Sequence, residues 1–188
     1  MIKLFGSLTS PYVRHCRIVL LDNQNAFEFI EADTAMRDQI TPTLKVPYLE
    51  HDGLRLHDSH SIVQYCRSLA GQSAFPEITD LDYFLLASTV LETGINILQL
   101  KRSGLSADAV PFLKRQNLRL NSLLQALETL SEARPWQWND ATIRAACMIR
   151  WIEMREYNDF SDYPALRNLH TQALAQPNFA ATEPPEYA

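Results

Sequence analysis

The spacing of apolar residues changes near residue 79, and this change constrains the fold more than any other feature of the chain. Before it, short apolar runs of the length of β-strands alternate with stretches of helical period. After it, the period is helical almost to the end. The pattern predicts a small α/β domain at residues 1–74, followed by an all-helical domain at 80–188.

The first domain is predicted to contain a mixed sheet of four strands. A β-α-β crossover makes its two strands parallel, whereas the hairpin that turns at Asp52-Gly53 adds antiparallel strands. The segment 31–44 is predicted to be a loop with one helical turn at most, because its apolar pattern is weak. The predicted strands are 2–5, 26–30, 46–50 and 54–57, and the predicted helices are 11–22 and 59–70.

Four helices are predicted in the second domain: 80–102, 111–132, 140–155, and one that begins at Pro164 and ends before Pro177. The solvated faces of the second and third of these helices are predicted to carry five arginines. They are Arg115, Arg119, Arg144, Arg150 and Arg155.

Charge and composition disfavour several function classes. The 188 residues include 17 Lys and Arg against 22 Asp and Glu, a net charge of −5, so bulk charge gives no attraction for nucleic acid. The longest apolar stretch, near 83–91, is shorter than the roughly 18 to 20 residues that span a bilayer, so no membrane association is expected. The first residues lack the pattern of a secretory signal, which favours a cytoplasmic location. Three scattered cysteines predict neither a disulfide framework nor a metal site.

Three short patterns could carry chemistry. The first is Ser10, which stands between the first strand and the first helix. Its hydroxyl and the unpaired N–H groups of that helix point to one place, which favours negative charge. The simpler interpretation is that Thr9 or Ser10 only caps the helix.

The other two patterns suit the ends and the backbone of a peptide. In Lys45-Val46-Pro47, a proline that opens an edge strand would leave the backbone of Val46 free to pair with an extended peptide, unless it is an ordinary strand-start proline. Asp58-Ser59 opens a helix, where amides and a hydroxyl suit a carboxylate and the Asp58 side chain suits an ammonium group. A plain helix cap is the alternative there.

Taken in order, these patterns resemble the glutathione transferase superfamily, and in particular bacterial-type cytosolic members with serine at the catalytic position. The resemblance rests on the run from Thr9 to Arg14 and on the two patterns above, and it continues at Asn139-Asp140 and at Gln176-Pro177-Asn178-Phe179. It implies a thioredoxin-like domain that binds glutathione, an all-helical domain after it, and a homodimer.

The resemblance also implies the chemistry. Ser10 would donate a hydrogen bond to the glutathione sulfur and stabilise the thiolate, which would attack an electrophilic, hydrophobic small molecule between the two domains. Glutathione would be the co-substrate, and no metal would take part. Thr9, which adjoins Ser10, leaves open which hydroxyl faces the sulfur.

The remaining site residues would hold the tripeptide. By resemblance, Val46 would pair through its backbone with the cysteinyl unit beside a cis Pro47. Asp58 and Ser59 would hold the γ-glutamyl end, and Lys45 would meet the glycyl carboxylate.

Two positions depart from the family pattern: Leu44 stands where many relatives have glycine, and Gln137 stands where a helix-capping serine or threonine is common. Two other functions also fit the sequence. A glutathione-dependent thiol reductase, with peroxidase-like activity, needs a sulfur that Ser10 lacks and that only Cys16, predicted to lie in the core, could supply nearby. A binding or regulatory protein could keep the fold without the chemistry.

Overall fold

The computed structural model describes residues 1–185. The last three residues of the predicted second domain therefore lie outside the described part of the chain. The structure contains two compact units, one formed by Met1–Pro76 together with the segment that begins at Leu174, and the other by Glu77–Ala173. The domain bounds 1–74 and 80–188 stay a prediction.

The first unit contains a four-stranded sheet. Its strands are β1 (Ile2–Gly6), β2 (Phe27–Glu31), β3 (Tyr48–His51) and β4 (Leu54–Leu56), in the order β2-β1-β3-β4. Strands β1 and β2 are parallel, whereas β3 runs antiparallel to both β1 and β4. This confirms the predicted mixed sheet of a thioredoxin-like domain. The elements of the chain are β1 (Ile2–Gly6), α1 (Pro11–Asp22), β2 (Phe27–Glu31), α2 (Thr34–Ile40), β3 (Tyr48–His51), β4 (Leu54–Leu56), α3 (Ser59–Leu69), α4 (Ile78–Arg102), α5 (Pro111–Ala133), α6 (Asp140–Glu153), α7 (Pro164–Leu174) and α8 (Pro177–Ala181).

The core of the first unit lies between the sheet and two helices. Helices α1 and α3 pack against each other and onto β1 and β3. Alternate residues of β1 are buried, as the two-residue period of a strand requires. The buried cluster consists of Ile2, Leu4, Cys16, Val19, Leu20, Leu49, Ile62, Val63, Cys66 and Ala74.

Helix α2 corrects the prediction of a loop at 31–44. It begins after Asp33, whose carboxylate accepts a hydrogen bond from the Met36 N–H at 2.8 Å. None of its residues is buried. Because no face of this helix packs against the core, its sequence lacks the continuous apolar stripe of a core-facing helix. The capping aspartate was the one signal that could have revealed it.

The second unit is mostly helical, as predicted. Helix α4 packs on α5 and α6. The cap of α6 is Asn139, which forms a capping box with Thr142, while Gln137 contributes only its carbonyl, which accepts from the Thr142 hydroxyl at 2.6 Å. The cap of α6 is therefore supplied by Asn139 and not by residue 137, and the expectation that Gln137 weakens it is wrong.

Helix α4 is also long and apolar enough, by length and composition, to cross a membrane, and it is the one such helix within residues 1–185. No such segment was predicted, because the densest apolar stretch, near 83–91, is short. The polar residues that follow that stretch are mostly uncharged, so the apolar part of the helix extends beyond it. Of its most apolar stretch of 18 residues, 44% is buried within the protein, and the core helix of a soluble protein meets the same criteria of length and composition. Helix α4 is therefore weak support for a membrane span.

One further helix was missed, and one further prediction about the helices is wrong. The fourth helix begins at Pro164 and ends before Pro177, as predicted, but α8, which Pro177 opens, was not predicted. A proline in the first turn of a helix needs no hydrogen-bond partner. Arg144 is fully buried, and its guanidinium lies 4.5 Å from the centre of the Phe84 ring. A ring partner on another helix cannot be read from the period of α6.

Candidate glutathione site

The register of the sheet brings the three predicted patterns to one end of the first unit. The last pair of the β1–β3 ladder is Phe5 with Tyr48, so the end of β1 lies beside the start of β3. Leu56 of β4 pairs with Leu49 of β3, so the end of β4 reaches the same place. The segments that carry Ser10, Val46 and Asp58 all leave or enter the sheet here. Because strands are about 4.8 Å apart, the distance from β1 to β4 is about 10 Å.

Ser10 is the N-cap of α1. Its Oγ accepts a hydrogen bond from the Val13 N–H at 3.4 Å, and the side chain is half-buried. Because the Oγ serves as an acceptor there, its own proton is available for an anion at the N-terminus of the helix. Thr9 differs, because its hydroxyl is hydrogen-bonded to the hydroxyl of Ser7 at 3.0 Å.

Gly6 sets the position of the first turn of α1. A Cβ at Gly6 would lie 2.5 Å from Cγ2 of Val13, well inside contact distance. The absence of a side chain therefore allows the helix to approach the end of β1 closely, with Val13 fully buried. Sequence reasoning took Gly6 only as the end of a strand.

The Val46–Pro47 peptide bond is cis, as the resemblance implies. Strand β3 is not an edge strand, since it pairs with both β1 and β4, and the predicted edge position is wrong. Val46 is nevertheless outside the ladder, because β3 begins at Tyr48. Among residues 1–185, no hydrogen bond engages the backbone of Val46, which leaves it available to an extended peptide.

The segment before Val46 follows a positive φ. Leu44 has φ +53° at the position where many relatives have glycine, and its side chain is exposed. Leucine therefore adopts here the left-handed conformation that glycine adopts without a steric penalty. Lys45 is exposed and forms no ion pair within residues 1–185, so its ammonium group is available for a carboxylate.

Asp58 is the N-cap of α3. A helix cap was one of the two roles that the sequence allowed for this residue. One carboxylate oxygen accepts from the His60 N–H at 2.8 Å, and the backbone carbonyl accepts from the Ser61 hydroxyl at 2.9 Å. The side chain is exposed and no cation of residues 1–185 is paired with it. Ser59 is the first residue of α3 and half-buried. Capping occupies only part of the Asp58 carboxylate, so the group can still bind an ammonium.

Two aromatic residues at this end were not predicted. The His57 ring stacks on Tyr48 with 5.0 Å between ring centres, and its Nδ1 lies 3.2 Å from the Thr41 hydroxyl. The Tyr48 hydroxyl donates to Glu50 at 2.6 Å. Burial, followed by this hydrogen bond to a carboxylate, raises the pKa of Tyr48 to about 12. No sequence period indicates the contacts of His57, because they join different segments of the chain, whereas Tyr48 and Glu50 lie two residues apart within β3.

The chemical character of this end is that of an anion and peptide site. A helix N-terminus with a hydroxyl, an unpaired backbone, an exposed cation and an exposed carboxylate lie on the segments that adjoin one end of β1, β3 and β4. All three cysteines are buried, so none of them offers a sulfur for exchange at this surface. Within residues 1–185, no group of three or more His, Cys, Asp and Glu side chains could hold a metal ion.

The architecture is that of glutathione transferase structures. A glutathione S-transferase from Methylobacillus flagellatus, solved with glutathione bound, has a TM-score of 0.88 at 23% identity, covering 98% of this chain and 100% of that one. A second from Methylobacterium radiotolerans, in complex with glutathione sulfonate, has a TM-score of 0.88 at 22% identity, covering 100% of this chain and 96% of that one. At such identities the likeness establishes the fold alone.

The sequence comparisons point to the same family. Residues 4–74 match the model of the glutathione S-transferase N-terminal domain. YibF of Escherichia coli K12, named as an uncharacterized GST-like protein, is 29% identical over 201 residues, covering 98% of this chain and 99% of its own length. The chain is thus similar to glutathione transferases in its fold and, over residues 4–74, in its sequence.

Proposed function

We propose that this chain is a cytoplasmic glutathione transferase in which Ser10 stabilises the glutathione thiolate. The observation that carries the proposal is the geometry of Ser10: its Oγ accepts from the Val13 N–H, so its proton can be donated to sulfur at the N-terminus of α1. Thr9 is the weaker candidate because its hydroxyl already has a partner in Ser7. The solved relatives that contain glutathione support the choice of co-substrate.

The energetics are adequate for this mechanism. A free thiol has a pKa near 8.5, and lowering it by about two units requires about 2.7 kcal/mol of preferential stabilisation of the thiolate. A hydrogen bond to an anion contributes about 1.5 to 3 kcal/mol, and a helix N-terminus about 0.3 to 1 kcal/mol. These two contributions suffice without a metal or a second base.

The rest of the tripeptide has matching partners. Its extended backbone pairs with Val46 beside cis Pro47, and its γ-glutamyl carboxylate and ammonium meet Ser59 and Asp58. Its glycyl carboxylate meets Lys45. The thiolate then attacks an electrophilic, hydrophobic small molecule, and the active form is a homodimer.

A direct test combines binding and turnover. Calorimetry with glutathione measures binding, and conjugation of a reactive aryl halide measures transfer. We expect Ser10→Ala to retain glutathione binding within a few-fold and to lose most of the conjugation rate, whereas Thr9→Ala, the matched hydroxyl deletion, keeps it. The reverse result would assign the sulfur-facing hydroxyl to Thr9.

The two other functions predict different results, and each is checked by its own measurement. A reductase would form a mixed disulfide, seen as the added mass of one glutathione on Cys16 after treatment with oxidised glutathione; the complete burial of Cys16 counts against it. A binding or regulatory protein would bind glutathione without turning over any electrophile of a broad panel.

A further inference from the structure

We infer that the C-terminal segment after α8 acts as a clamp that positions Ser10, through the pair formed by Arg14 and Glu183. Arg14 lies one helical turn after Ser10, and its N–H donates to the Ser10 carbonyl at 2.9 Å. The inference rests on the proposed function, since it concerns the hydroxyl that faces the sulfur. Arg14 and Glu183 are positioning residues, because neither is placed against the substrate.

Arg14 is held in place by the C-terminal segment. Its side chain is 2% exposed, and one terminal nitrogen, Nη2, donates to the Phe179 carbonyl at 2.8 Å and to the Glu183 carboxylate at 2.7 Å. The guanidinium also lies 3.7 Å from the centre of the Phe179 ring. A buried guanidinium that keeps its charge depends on such partners, so Arg14 and the segment hold each other.

The segment is packed where it meets Arg14. Glu183 itself is 37% exposed at its side chain, but the residues on either side, Thr182 and Pro184, are buried. The carboxylate is therefore fixed by its neighbours in the chain and is not a mobile surface group.

The same segment has a second anchor on α1, which supplies a matched control. The Asn178 amide donates to the Asp22 carboxylate at 2.7 Å. Asp22 is the last residue of α1, twelve residues after Ser10, and at 1.5 Å per residue this anchor is about 18 Å from the cap. Loss of either anchor loosens the segment, but only loss of the Arg14 anchor frees the turn that carries Ser10.

The test compares Glu183→Gln with Asn178→Ala in the full chain. For each protein, the ultraviolet absorbance of the thiolate is titrated against pH with glutathione bound, and kcat and KM for glutathione are measured with an aryl halide. We expect Glu183→Gln to raise the pKa of the bound thiol and to lower kcat at pH 7 about tenfold, with KM changed less than about twofold. Asn178→Ala is expected to change neither quantity.

Conservative variants distinguish an effect on the position of Ser10 from a general loss of folding. Arg14→Lys keeps a cation but cannot reach two acceptors and stack on a ring as a guanidinium does, so it is expected to reproduce the effect of Glu183→Gln. Glu183→Asp keeps the carboxylate and is expected to have a higher conjugation rate than Glu183→Gln. The clamp is refuted if Glu183→Gln changes only the melting temperature, or if Asn178→Ala changes the thiol pKa equally. A wild-type protein that binds no glutathione would instead refute the proposed function, and the clamp with it.

Discussion

Phe5 and Tyr48 form the last pair of the β1–β3 ladder, and their rings lie 5.3 Å apart between centres. This pairing fixes the end of β1 beside the start of β3, and therefore the segment of Ser10 beside that of Val46. Two patterns separated by more than thirty residues of sequence become one site because two strands run antiparallel.

The proposed role of Ser10 as a donor to the thiolate can be separated from its role as the cap of α1. Ser10→Asp keeps a side-chain acceptor for the Val13 N–H but places a negative charge where the thiolate forms. We expect stability within about 0.5 kcal/mol of the wild type, and a conjugation rate reduced more than about 100-fold. Ser10→Thr, which keeps the hydroxyl, is the control and should retain activity within about tenfold. Wild-type turnover by the aspartate variant would contradict a donor role.

The close approach of α1 to β1 depends on the missing side chain at Gly6. Gly6→Ala places a methyl group against Val13, and we expect it to lower the free energy of unfolding by about 1 to 3 kcal/mol. The double variant with Val13→Ala should cost less than the sum of the two single changes, because the second truncation makes room for the first. Urea unfolding of the four proteins measures this coupling. Strict additivity would mean that the two positions are not in conflict.

The cap of α6 resides in Asn139. Asn139→Ala removes the acceptor of the Thr142 N–H and should lower stability by about 0.5 to 2 kcal/mol. Gln137→Ala is the control, since Gln137 contributes only its carbonyl, and thermal unfolding should not distinguish it from the wild type. An equal loss in both variants would show that the side chain of Gln137 also matters.

Stability should fall at high pH because of Tyr48. Its pKa is about 12 in the folded protein and about 10 in an unfolded chain, so above pH 10 the unfolded state loses its proton first and unfolding is favoured. The contribution is complete below pH 10 and is lost as the pH rises toward 12. We expect urea unfolding from pH 8 to 11.5 to show a shallower decline for Tyr48→Phe than for the wild type. Parallel curves would exclude a titrating Tyr48.

Local patterns in the sequence accounted for much of this structure. Pro11 and the period of Val13, Cys16 and Leu20 define α1, because the first turn tolerates proline and the buried face repeats every 3.6 residues. Asp52-Gly53 defines the hairpin for an equally local reason. Helix α2 was missed because an exposed helix has no apolar period, and α8 was missed because its five residues are too few to show one.

What the sequence by itself determined were most of the helices and strands, the mixed sheet and the residue types suited to a peptide with charged ends. These follow from steric preferences and from periods within a few neighbouring residues. Only the tertiary structure decided that Ser10 and not Thr9 caps α1, that Val46 lies outside the ladder, and that Arg14 meets Glu183. The last two relations join groups far apart in the chain, and packing alone selects them, since many distant partners are compatible with the same local pattern.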